Sequence, residues 1–81
     1  MRTAEEILDD VEHAIVETTF RLTALEAERA RLRGRLDAPD LFTVKDLRAF
    51  QSRLERMVPK AIELETEIAT LTRIKDFILG G

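Results

Sequence analysis

The chain of 81 residues contains no cysteine, tryptophan or tyrosine, and its only histidine is His13. Without cysteine it can form no disulfide, zinc finger or thiol nucleophile, and one imidazole is too few for a histidine-rich metal site. Ser52 has no histidine near it in the helical register described below, so no nucleophile and base are paired. We therefore predict that the protein is not an enzyme and carries no cofactor or metal.

Long hydrophobic runs are also missing. The longest unbroken apolar stretches are two or three residues, whereas a helix needs about 20 to span a bilayer. The first residues include Glu5 and Glu6, where a signal peptide would need an apolar run. The expectation is a cytoplasmic protein that does not enter a membrane.

Glycine and proline are scarce, with three and two residues, while 44% of the chain is hydrophobic and 36% charged. This composition favours helix over sheet. Apolar residues recur at alternating steps of three and four, which predicts two helices that each carry one packing seam. The seam positions are Ala4, Leu8, Val11, Ile15, Thr18, Leu22, Leu25, Arg29, Leu32 and Leu36 in the first helix, and Leu47, Phe50, Leu54, Met57, Ala61, Leu64, Ile68, Leu71, Lys75 and Ile78 in the second.

Helix-start and helix-stop signals divide the chain into one hairpin domain, residues 1–81. Thr3 and Thr43 are the predicted N-caps, and Gly34, Asp37 and Pro39 interrupt the helical pattern. Helix 1 is expected at about 4–36, the turn at about 37–42 and helix 2 at about 43–79. Because the connection is short, the two helices should form an antiparallel coiled-coil hairpin, with facing seam residues whose numbers add up to about 79. Pro59, inside helix 2, falls on its outer side as a tolerated kink or a functional hinge.

Several apolar residues lie off the seam, and a two-helix core alone is small. The mid-length patch, on one flank around Pro59, comprises Val16, Phe20, Val58 and Ile62. The open-end patch, on the other flank, comprises Ile7, Ala14, Ile74 and Phe77. We predict that these flanks form an interface with another polypeptide, because large exposed apolar patches mark interaction sites. Scattered surface apolar residues are the alternative.

Charge is segregated along the hairpin. The open end, residues 1–20 and 61–81, has a net charge of −7, and the loop end, residues 21–60, has a net charge of +4. Two antiparallel copies would place opposite charges together, whereas parallel copies would place like charges together. This polarity predicts an antiparallel homodimer that forms a four-helix bundle. Another helical protein is the alternative partner.

Charged residues beside the seam match only in part across the predicted hairpin. Glu28–Arg53 and Arg35–Asp46 are predicted as favourable pairs, whereas the like-charged pairs are Arg21–Lys60 and Glu12–Glu65. Arg29 lies opposite Phe50, where its guanidinium can stack on the ring.

Basic residues crowd the loop end and provide a second hypothesis, a small helical hairpin that binds nucleic acid. Against it, the net charge is −3 and no aromatic residue alternates with these bases. The candidate anion contacts are Arg31, Arg33, Arg35, Lys45 and Arg48.

The turn and the start of helix 2 read Pro39-Asp40-Leu41-Phe42 and then Leu47, Phe50-Gln51 and Leu54. This pattern resembles bacterial type III secretion needle subunits, and the overall plan is similar to their small helical co-chaperones. The resemblance implies that Pro39, Leu47, Phe50 and Leu54 are turn and packing residues. With the patches, it favours a dimeric adaptor, assembly factor or secretion-type chaperone, with a self-assembling structural subunit as a further alternative.

Overall fold

The computed structural model describes residues 3–80 as two long helices joined by a short turn. α1 spans Ala4–Leu36, α2 spans Val44–Gly80, and a one-turn 3₁₀ helix, Pro39–Leu41, lies between them. The two helices pack against each other, and the molecule measures 59 × 20 × 15 Å. The predicted all-α, two-helix hairpin is confirmed.

α1 begins where the sequence predicts a cap. The Oγ1 atom of Thr3 accepts a hydrogen bond from the N–H of Glu6 at 3.2 Å, which satisfies one of the free donors at the start of the helix. Gly34 does not end α1, because the helix continues through it to Leu36.

The turn is closed by its own backbone and by the cap of α2. The N–H of Phe42 donates to the carbonyl of Pro39 at 3.2 Å. The N–H of Asp46 donates to Oγ1 of Thr43 at 3.1 Å, and the N–H of Thr43 donates to Oδ2 of Asp46 at 3.3 Å. This reciprocal pair is a capping box, so the predicted N-cap at Thr43 is confirmed.

Burial follows the predicted seam. Every seam position of α2 is buried or half-buried, and so is every seam position of α1 except Ala4. Thr18 and Ala61, which face each other in the predicted register, are only 3% and 4% exposed. Their small side chains allow the two helices to approach closely at mid-length. Among residues 3–80 the other buried residues are Val11, Leu32, Met57 and Leu64.

Pro59 lies within α2, and the helix continues on both sides of it. Its ring removes the N–H that would donate to the carbonyl of Glu55. Pro59 is exposed, on the side of α2 away from the seam, so packing against α1 is not interrupted.

One predicted ion pair joins the helices and another does not. Arg53 donates to Oε1 of Glu28 at 2.7 Å, which confirms the first pair. The predicted Arg35–Asp46 pair is wrong, because Asp46 caps α2 and the guanidinium of Arg35 lies over the ring of Phe50.

The stacking partner of Phe50 also differs from the prediction, since Arg35 takes the place expected for Arg29. The guanidinium carbon of Arg35 lies 5.2 Å from the centre of the Phe50 ring. Helical side chains lean towards the N-terminus of their helix, so Phe50 leans towards the turn and Arg35 leans away from it. Phe42 then packs edge-on against the ring of Phe50, with 5.1 Å between the ring centres.

Three of the four residues in the predicted like-charged pairs, Glu12, Arg21 and Lys60, have other partners. Oε1 of Glu12 lies 3.7 Å from Nζ of Lys75 on the opposite helix. Arg21 pairs with Glu17 of its own helix at 2.8 Å, and Lys60 lies 3.8 Å from a glutamate one turn along α2. These contacts relieve the repulsion within one hairpin.

Candidate interaction surfaces

The mid-length patch is exposed in the hairpin. Each of its four side chains keeps about half or more of its surface in water, and the exposed fractions are 70% for Val16, 75% for Phe20, 45% for Val58 and 57% for Ile62. Burial of such a side chain is favourable by about 1.5–3 kcal/mol. A single hairpin does not gain this free energy, because the four side chains stay exposed.

The patch belongs to a longer face of α1. With 100° between successive residues, nine exposed residues of α1 fall within a sector of about 80°. From the open end to the loop end they change from acidic to apolar to small. In that order they are Glu5, Asp9, Glu12, Val16, Phe20, Thr23, Ala27, Ala30 and Gly34.

The open-end patch lies on the other flank and is partly exposed. Ile7 and Ile74 are each about 40% exposed, and Phe77 is 78% exposed. Ala14 is half-buried beside the seam. The sequence therefore supplies two separate apolar surfaces, one at mid-length and one at the acidic end.

Two hollows adjoin the mid-length patch towards the loop end. The inter-helix hollow, of about 420 Å³, is lined by Arg29, Arg33, Leu36, Asp37, Gln51, Leu54, Glu55 and Val58. The α1 hollow, of about 490 Å³, is lined by Glu26, Arg29, Ala30, Arg33, Gly34 and Asp37. Arg29, Arg33 and Asp37 border both hollows, and Val58 connects the first of them to the patch.

Arg29 occupies a seam position and is half-buried. Its Nε atom is buried and has no hydrogen-bond partner. Buried donors of this kind are nearly always paired in native proteins. This Nε–H finds no acceptor within the hairpin, and the Arg29 side chain lines both hollows.

The five predicted anion contacts do not converge on one surface. Arg33 borders the two hollows beside the mid-length patch. Arg31 and Arg35 line a smaller hollow of about 160 Å³ with Glu28 and Arg53, and that hollow lies on the opposite flank. Two of its three guanidinium groups are already engaged, by Glu28 and by the Phe50 ring. The remaining two predicted contacts, Lys45 and Arg48, are exposed near the start of α2.

The sequence analysis placed Arg29 in the seam but missed the two hollows that its side chain lines. The available signal was a charged residue at a seam position, with Ala30 and Gly34 close by in α1. A charged seam residue must direct its head group out to one flank, and small neighbours leave space beside it.

Comparison with family models, with curated protein sequences and with solved structures found no match to this chain. The resemblance to type III secretion subunits and co-chaperones stays a prediction. Within residues 3–80, neither helix carries an apolar stretch long enough to cross a bilayer.

Proposed function

We propose that this protein is a non-enzymatic interaction module that works as an antiparallel homodimer. In this dimer α1 packs on α1 of the second copy and α2 on α2, about a two-fold axis at the mid-length patch. The observation that carries the proposal is the exposure of all four patch residues, Val16, Phe20, Val58 and Ile62. A two-fold axis through the patch would bury each of them against its own copy.

The surface area of the hairpin supports association. The chain exposes 6328 Å² of accessible surface, whereas the scaling for compact monomers gives about 5,000 Å² at 9.3 kDa. The excess of about 1,300 Å² is larger than the roughly 800 Å² that each partner contributes to a standard interface. A four-helix bundle would remove much of this excess.

The charge polarity supports the antiparallel orientation. A net charge of −7 at the open end and +4 at the loop end makes opposite ends of two hairpins attract each other. A parallel pair would place the two acidic ends together and the two basic ends together, so like charges would repel at both ends of the bundle.

The second apolar surface suggests what the dimer does. The open-end patch lies on the flank that the proposed dimer leaves uncovered, so each copy keeps Ile7, Ile74 and Phe77 for a further contact. An apolar surface at helical spacing suits an amphipathic helix of another protein. The proposed role is accordingly a dimeric adaptor, assembly factor or secretion-type chaperone.

Two matched pairs of substitutions test this proposal. Phe20→Asp and Ile62→Asp place a charge in the proposed interface, while Phe77→Asp and Ile74→Asp make the same changes on the other flank. Sedimentation equilibrium should give a mass of twice 9.3 kDa for the unmodified chain and for the two open-end variants, Phe77→Asp and Ile74→Asp. The two mid-length variants, Phe20→Asp and Ile62→Asp, should have a dimer dissociation constant at least about 100-fold higher, because the dimer would bury an unpaired charge.

Other outcomes would overturn the proposal. If the unmodified chain is a monomer at 100 μM, the proposed homodimer is wrong. Dissociation by the open-end variants alone would move the interface to the other flank. Masses that grow continuously with concentration would favour a self-assembling structural subunit. A monomer that binds nucleic acid in a salt-sensitive way would favour nucleic-acid binding by the basic loop end.

A further inference from the structure

We propose that the α1 hollow receives the first turns of α1 from the second copy, so that Arg29 and Arg33 pair with Asp9 and Glu5 of that copy. The inference rests on the antiparallel dimer proposed above. It adds the contacts that fix how far one hairpin is displaced along the other.

The hollow has room for side chains from outside. Ala30 and Gly34 form part of its lining, and a Cβ atom added to Gly34 would meet nothing within 4 Å. The absence of side-chain bulk here creates a recess on the α1 face that also carries the mid-length patch.

The cations at this recess lack carboxylate partners. Arg29 has a buried Nε atom without a hydrogen bond, and within residues 3–80 no ion pair joins Arg29 or Arg33 to an acid. Glu26 and Asp37 also line the recess, so it is polar and does not suit a purely apolar segment. Carboxylates from a second chain would give the two guanidinium groups their partners.

The register of the proposed dimer brings matching groups together. An axis level with the midpoint of Val16 and Phe20 makes facing α1 positions add up to about 36. Arg29 then lies within one turn of Asp9 of the second copy, and Arg33 within one turn of Glu5. Each pair of like charges is four residues apart, which is one helical turn, so both contacts can form at once.

The acidic end of a second copy suits this recess better than an unrelated helix. Glu5 and Asp9 are exposed and lie in the same sector of α1 as the mid-length patch. Arg33 and Arg29 lie about 60° and 100° outside that sector, so their long side chains extend across the recess to reach the acids while the patch is buried in the middle. The two-fold axis repeats every contact, so each dimer contains two such recesses.

The first test fills the recess without weakening the helix. Gly34→Leu removes an interior glycine, which favours the helix, and it directs a branched side chain into the open space. We expect unchanged helicity by circular dichroism and a dimer dissociation constant raised at least tenfold. Ala49→Leu, at an exposed position on the opposite flank, should leave the dissociation constant within twofold.

The second test exchanges the charges. Arg33→Glu and Glu5→Arg should each weaken self-association at least tenfold, since each creates two repulsive contacts. A mixture of the two variants should form a heterodimer about as tight as the unmodified homodimer, because both contacts then join opposite charges. Sedimentation of the separate and mixed variants measures this.

The results separate this inference from the proposed function. If the unmodified chain dimerises through Phe20 and Ile62 but Gly34→Leu and Arg33→Glu leave its dissociation constant within twofold, the recess is not part of the interface. A mixture no tighter than its components would equally overturn the pairing. If the unmodified chain does not dimerise, the proposed function fails first.

Discussion

Arg53 reaches across the hairpin and donates to Glu28 at 2.7 Å, although both side chains remain a third or more exposed. Exposed ion pairs contribute about 0.2–1 kcal/mol each, because solvent screens them and ordering the side chains has an entropic cost. We predict that Arg53→Ala and Glu28→Ala each lower the free energy of unfolding by about 0.5 kcal/mol.

The double variant should lose no more than about 0.7 kcal/mol, since both changes remove the same contact. Urea unfolding of the four chains at one protein concentration measures this cycle. Additive losses would show that the two side chains act independently in solution.

The mid-length core layer predicts a larger effect. Thr18 and Ala61 are nearly fully buried, so a larger side chain here would have to displace neighbouring seam residues. Ala61→Leu should destabilise the fold by about 1–3 kcal/mol through overpacking. Ala49→Leu, at an exposed position, should change stability by less than about 0.5 kcal/mol. Equal melting temperatures for the two variants would contradict the close approach at this layer.

Pro59 predicts a gain of stability. The proline interrupts the backbone hydrogen bonds of α2 at an exposed position away from the seam. Pro59→Ala should stabilise the protein by about 1–3 kcal/mol, because alanine restores the missing N–H and favours the helix. Thr66→Ala, seven residues further on the same outer side, should gain only a few tenths of a kcal/mol. A loss of stability on Pro59→Ala would mean that α2 requires the proline at this position.

The hairpin could be predicted from the sequence because periodicity determines which face of each helix is buried. Seam residues from Leu8 to Ile78 are buried or half-buried, and the caps at Thr3 and Thr43 form the expected hydrogen bonds. The seam depends on the spacing of apolar residues and the caps depend on side chains of the right type at the helix starts, and both can be read directly from the sequence.

The contacts of long side chains could not be predicted in the same way. In the predicted register Phe50 faces Arg29 and Arg35 lies six residues further along α1, yet the lean of side chains along each helix brings Arg35 over the ring. The recess beside Ala30 and Gly34 forms because these residues have little or no side chain. A pattern of apolar residues does not predict such a recess. What covers the mid-length patch depends on a second chain, which the pattern of one chain does not describe.

The orientation of two hairpins tests the central claim most directly. The chain has no cysteine, so Leu41→Cys introduces one spin label at the exposed turn for pulsed electron paramagnetic resonance. In the antiparallel dimer the two turns lie at opposite ends, about 60 Å apart at 1.5 Å per residue. A distance near this value is the predicted result. A distance below about 30 Å, as in a parallel pair of neighbouring helices, or no intermolecular distance at 100 μM, would contradict the account.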